Sequence, residues 1–156
     1  MILKIYRGVQ IFILALIVAV VVGMFSLVTV LDMKPYVVVS GSMEPKLPVG
    51  SICIIDSGDK EAKSGEIISF KAGDAVVTHR VVTVTDEGYV TKGDANDAVD
   101  PGIVTSEQIV GTFAADSPYA GYAVMFLRTM KGFILTMTFV TCFTLLGLLL
   151  ERRREY

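Results

Sequence analysis

The sequence predicts a small, mainly β domain, with antiparallel strands in small sheets or a barrel-like form, held between N-terminal and C-terminal transmembrane helices. Three observations carry that prediction. Each end of the chain contains a long uncharged apolar run, at 8–31 and at 132–150. Between them, short β-branched runs alternate with turn residues. Charge follows the same partition. Residues 32–122 carry 14 acidic and 7 basic side chains, residues 1–31 carry only Lys4 and Arg7, and residues 123–156 carry 5 basic and 2 acidic. With 53% hydrophobic and 19% charged residues among 156, the chain is too apolar for a disordered tail and long enough for one domain. Two cysteines exclude a disulfide-dense scaffold. An acidic middle argues against a nucleic-acid partner, because phosphate contacts need clustered Lys and Arg.

Residues 8–31 read GVQIFILALIVAVVVGMFSLVTVL, with no charge in 24 positions. About 20 apolar residues of helix cross a bilayer core. A cleaved secretory signal has an apolar core of about 7–15 residues and a small-residue cleavage site. Here DMKPY follows instead, so an uncleaved anchor is expected. The second run, GFILTMTFVTCFTLLGLLL at 132–150, is also uncharged and ends at Glu151 followed by Arg152, Arg153 and Arg154. A buried core helix is the rival reading of so short a run. The basic cluster favours a stop at the cytoplasmic face, and Lys4 and Arg7 flank the first run in the same way. Both termini are then cytoplasmic. Arg128 and Lys131 fall at the outer interface, where long cations snorkel, and residues 119–131 form an interfacial stretch of unassigned register.

The expected organisation is a cytoplasmic stub and anchor at 1–31, an extracytoplasmic β domain at 32–122, an interfacial segment and second span at 123–150, and a basic cytoplasmic tail at 151–156. This is a multi-pass protein of the cell membrane. Cys53 falls outside the bilayer and Cys142 within the second span, so they are not expected to pair.

Six strands are expected in the middle: YVVVS at 36–40, SICIID at 51–56, EIISFK at 66–71, AVVTHRVVTVT at 75–85, YVTKG at 89–93 and EQIVGTF at 107–113. Asp86–Gly88 closes a hairpin between the fourth and fifth. DANDAVDPGIVTS reads as a loop by composition.

Three segments at or beside strand ends carry chemistry: SGSMEP at 40–45, THRVV at 78–82 and KGDANDAVD at 92–100. A Ser after a tight Gly is ordinarily a turn, and a lone His on a strand is ordinarily a satisfied core residue. Together, Ser42 and the sole histidine, His79, supply a nucleophile and a base that works near neutral pH. A third group must orient the imidazole. Asp94, Asp97 and Asp100 are candidates, each with a solvated turn as the plainer reading. The segment lacks the spacing and terminal Glu of an EF-hand loop. One His without a Cys cluster does not make a zinc site. No metal or other cofactor is expected.

These motifs resemble type I signal peptidase, in its archaeal and endoplasmic-reticulum (Ser-His-Asp) branch. SGSMEP matches the nucleophile box, HR at 79–80 occupies the place of the bacterial catalytic Lys and its following Arg, and KGDAN at 92–96 with Asp100 matches the last box. The resemblance covers roughly residues 8–113. It implies a membrane-bound serine endopeptidase that removes N-terminal signal peptides from exported preproteins. Ser42 would be the nucleophile, His79 the general base and Asp100 its orienting acid. Ser40 would help the Ser42 backbone N–H bind the oxyanion, and Asp94 would brace the site with backbone or with Arg80. Asp97 is not a family position. Lys71 and Lys92, candidates for a Ser–Lys dyad, do not occupy the matching position. The resemblance also implies small residues at the first and third positions before the cut.

The expected partners are secretory preproteins and the bilayer, with additional subunits compatible but not required. Val37–Val39 are candidates for a sheet edge that an extended substrate joins, with plain core as the alternative. A base that must be neutral predicts activity falling as pH drops through the imidazole titration, near 6.5 for an ordinary histidine. The competing reading is a non-catalytic, membrane-tethered β module for binding or scaffolding.

Overall fold

The computed structural model describes residues 2–152, so Arg153 and Arg154 of the basic tail lie outside the described residues. The chain forms two compact units. One is Leu27–Ala123; the other gathers the helical stretches up to Ser26 and from Val124 onward.

In the first unit, strands β1 (Met33–Val37), β2 (Ile52–Asp56), β3 (Ile67–Ala72), β4 (Ala75–Thr85), β5 (Gly88–Lys92) and β6 (Ile109–Ser117) form one open antiparallel sheet. Its order is β1-β2-β6-β3-β4-β5, so the last strand inserts between β2 and β3 and the edges are β1 and β5. The strands therefore share one sheet instead of several small ones. β1 lies earlier than the YVVVS run because Val38 leaves the ladder, bonding only to Ser51 and Gly50 across the turn. Pro35, opposite Ile54, is tolerated because an edge strand has one side without a partner. A short 3-10 turn, Ser106–Gln108, precedes β6.

β3 is buried along Ile67–Phe70, and its successive side chains feed opposite faces. Ile68 and Phe70 pack with Val81, Tyr89, Val104, Ile109 and Ala62. Ile67 packs with Met43, Leu47, Cys53 and Ile55. The second cluster draws Met43 and Leu47 from the loop after β1, which fixes that loop to the sheet. Burying side chains of this size stabilises by roughly 1.5–3 kcal/mol each.

In the second unit, α1 (Ile2–Thr29) and α3 (Met130–Arg152) are long and apolar enough to cross a bilayer. The windows Ile5–Ser26 and Met130–Gly147 have mean hydropathies of 2.7 and 1.5. The Tyr6 hydroxyl donates to the Phe143 carbonyl, their rings lie 5.0 Å apart, and Gly147 admits Tyr6 and Gln10 at close range. The start of α1 thus touches the C-terminal half of α3. Within 119–131 the structure forms a short helix, α2 (Ala120–Arg128); the Thr129 hydroxyl then accepts the Gly132 N–H at the start of α3.

Candidate active site

Ser42 sits on the turn that follows β1. The turn is held by the Glu44 N–H on the Gly41 carbonyl and the Leu47 N–H on the Met43 carbonyl. Met43 and Leu47, just after Ser42 in the chain, are buried plugs, so the half-buried Ser42 sits on a fixed support.

His79 follows the alternation of β4, in the row of Val77 and Val81 that packs on the core. It is 7% exposed and meets the Phe70 ring edge-on at 6.3 Å. Its Nε2 lies 3.1 Å from Ser42 Oγ and its Nδ1 lies 2.5 Å from Asp100 Oδ2. The structure therefore aligns hydroxyl, imidazole and carboxylate. Asp100 is the one of the three candidate aspartates that reaches the ring.

Asp94 instead takes a two-pronged bond from Arg80, Nε to Oδ1 at 2.8 Å and Nη2 to Oδ2 at 2.5 Å. Arg80 Nη1 also donates to the Gly65 carbonyl at 2.7 Å. The hydrogen bond to Asp94 holds the guanidinium pKa above its ordinary value, so the brace stays charged. Asp97 is exposed to solvent. Lys92 pairs opposite Arg80 in the β4–β5 ladder, on the face away from its neighbour Thr91. Lys71 pairs opposite Val76, three positions before His79 along β4. Ser40 Oγ is 3.5 Å from Ser42 Oγ, the outer limit of hydrogen-bond reach.

Two supporting residues escaped the sequence reading. Gly93 lets the turn carrying Asp94 press against the nucleophile: a Cβ there would lie 2.6 Å from the Ser42 carbonyl oxygen. That carbonyl accepts the Ala95 N–H at 2.9 Å. Thr91, fully buried on β5, donates its hydroxyl to Asp100 Oδ2 at 2.7 Å. The glycine of the KGDAN box was a visible signal; a Thr inside a strand was not.

A groove of about 320 Å³ opens beside Ser42, between Tyr36–Ser40 and Val76–His79, with Met43, Leu47 and Cys53 in its lining. Val38 packs against the core, whereas Val39 is 73% exposed. Burial pushes the Cys53 thiol up to about 12, with Asp116 adding to the rise and Lys46 opposing it. The thiol is therefore a neutral part of the groove lining and no nucleophile.

Residues 9–90 match the family model described as signal peptidase, peptidase S26. The chain is 38% identical over 79 residues to Signal peptidase I W of Bacillus subtilis, a match covering 46% of this chain and 42% of that protein. It is 30% identical over 129 residues to the signal peptidase complex catalytic subunit SEC11 of Debaryomyces hansenii, covering 72% of each. The SEC11 subunit of Scheffersomyces stipitis is 30% identical over 124 residues, covering 70% of this chain and 75% of that protein. With the family model spanning just over half of the chain and the yeast subunits aligned along most of it, the chain belongs to the signal peptidase family, peptidase S26.

Proposed function

We propose that this signal peptidase, a membrane serine endopeptidase acting on signal peptides, works through Ser42 as nucleophile, His79 as general base and Asp100 as the acid that orients the imidazole. The observation that carries this reading is the unbroken run of contacts from Ser42 Oγ to His79 Nε2 and from His79 Nδ1 to Asp100 Oδ2. Neutral Nε2 takes the Ser42 proton as Oγ attacks the scissile carbonyl carbon, whose oxygen becomes the oxyanion. Collapse breaks the C–N bond, and Nε2–H protonates the departing amine nitrogen. The acyl group remains on Ser42. A water then attacks, giving its proton to Nε2, and Ser42 leaves with that proton as the acid product forms. Asp100 stays ionised, accepting Nδ1–H and balancing the imidazolium in both halves. Ser40 and the Ser42 backbone N–H are the proposed oxyanion donors; one such donor is worth roughly 3 kcal/mol in the transition state.

The groove supports an extended substrate laid between 37–39 and 76–78, hydrogen-bonded by backbone with alternate side chains in pockets. Its largely apolar lining suits apolar side chains. In this reading α1 and α3 cross the bilayer with both termini on one side, the cytoplasmic one; the contact of Tyr6, near the start of α1, with Phe143, in the C-terminal half of α3, supports it. The β domain then stands outside, where exported preproteins emerge. Tethering raises the effective concentration of a substrate whose own signal helix is in the same membrane. The yeast relatives are by name subunits of a complex; accessory subunits are optional partners here.

Cleavage of a preprotein by the purified, lipid-embedded chain tests the reading, with Ser42→Ala beside it. The shortened product should form with the wild type and vanish with the variant. Equal cleavage by both would remove Ser42 from the mechanism.

A further inference from the structure

We propose that Thr91 is a positioning residue of this site, acting on His79 through Asp100; the inference rests on the triad reading above. Asp100 lies within a loop without helix or strand, running from Gly93 to the bridge between Tyr89 and Val104. Such a loop does not by itself hold a carboxylate to the tolerance that proton transfer needs. Thr91 grips Asp100 at two points. Its carbonyl accepts the Asp100 N–H at 2.8 Å, and its hydroxyl donates to Asp100 Oδ2 at 2.7 Å.

Oδ2 thus receives two donors, Thr91 Oγ1–H and His79 Nδ1–H. One carboxylate oxygen offers two lone-pair sites, so both are occupied. The hydroxyl fixes the rotation of the carboxylate about its own axis, and the ring nitrogen meets an acceptor already aimed at it. Thr91 has 0% exposure, so water does not compete for the hydroxyl.

The position explains why the residue is a threonine. Thr91 pairs opposite Val81 and shares the alternation of Tyr89, and both of those neighbours belong to the apolar core. Valine has the same shape and would fill that row without a polar atom to satisfy. The hydroxyl donates to Asp100, and its purpose is to serve that partner.

The test compares the full-length chain in lipid vesicles as wild type, Thr91→Val, Thr91→Ser and Asp100→Ala. Thr91→Val keeps the packing and removes the donor; Thr91→Ser keeps the donor and removes the methyl. The positioning role predicts that Val lowers kcat by about 10- to 100-fold, the worth of one hydrogen bond to a charged group, with KM little changed. Ser should retain kcat within about threefold even though its melting temperature falls more than that of Val. A packing role predicts the reverse order. His79 is the sole histidine, so its Nδ1 proton signal is assignable by NMR without competition; it should move in Val and stay in Ser. Wild-type kcat in Thr91→Val, or a Ser variant as impaired as Val, overturns the inference while loss of activity in Asp100→Ala leaves the triad intact. Full activity in Asp100→Ala overturns the triad reading and this inference with it.

Discussion

Adding one methyl group at Gly93 should disable the site without touching any reacting side chain. A Cβ at Gly93 would lie 2.6 Å from the Ser42 carbonyl oxygen and 2.7 Å from Asn96 Nδ2. Ordinary contact begins near 3.4 Å, so the nucleophile turn and the 93–96 turn must separate by about 0.8 Å. The oxygen in the way is backbone, and the same carbonyl holds the Ala95 N–H. It has no flexible side chain to swing aside. If the shift is taken up by Ser42, its Oγ moves from 3.1 Å to roughly 3.9 Å from His79 Nε2, beyond hydrogen-bond reach. A misplacement near 1 Å can cost about a hundredfold in rate. The strain itself costs about 1–3 kcal/mol of stability. Gly93→Ala should therefore stay folded by circular dichroism and lose about a hundredfold in preprotein cleavage measured at saturating substrate. A Gly93→Ala enzyme with wild-type kcat would refute the claim that the two turns are packed to that tolerance.

Two further outcomes follow from the geometry. Cys53 has its pKa raised from 9.0 to about 12, chiefly by burial, so the folded state keeps a proton that the unfolded chain sheds. Stability contributed by the buried thiol is whole below about pH 9 and declines as pH rises from there toward 12. Denaturant titrations across that range should show the decline, and Cys53→Ala should flatten it; the same slope in both proteins would count against the buried thiol as its source. Arg80→Lys removes the fork that meets Asp94 and the Gly65 carbonyl together. Because Arg80 is about one-third exposed, the expected change in melting temperature is small. Cleavage should fall partway, through looser placement of the 93–96 turn, and an unchanged rate would remove Arg80 from the support of the site.

The sheet was legible in the middle of the chain because its strands alternate cleanly between turn residues. AVVTHRVVTVT is bounded by Gly73–Asp74 and Asp86–Gly88, and β4 has those limits. The first strand was harder. Val37–Val39 has the stronger β-branched signal, but the ladder forms over Met33–Val37, where an edge position accommodates Pro35. Strand order was not legible at all, since placing β6 between β2 and β3 depends on contacts far apart in sequence. α2 was missed because nine residues of small and apolar side chains give a weak periodic signal.

The candidate site divides in the same way. Ser42 and His79 stood out because each lies in a motif, and His79 has no rival of its type. The residues alone left Asp94, Asp97 and Asp100 open, and the resemblance favoured Asp100. In the structure the fork of Arg80 occupies Asp94, solvent surrounds Asp97, and Thr91 delivers Asp100 to the ring. Thr91 was invisible because a β-branched polar residue is a normal strand former, and only its depth and its partner distinguish it. Gly93 was visible as a glycine, but its purpose is a close approach between two turns 51 positions apart in the chain.

The central claim is that a histidine on a strand activates a serine on a turn. The most direct measurement is single-turnover cleavage of a preprotein by lipid-embedded wild type and His79→Ala, at matched folding by circular dichroism. Removal of the sole imidazole should lower the rate by about a thousandfold or more, as loss of a triad member does. A His79→Ala enzyme within about tenfold of the wild type would contradict the account, because no other described group lies within hydrogen-bond reach of Ser42 Oγ except the Ser40 hydroxyl.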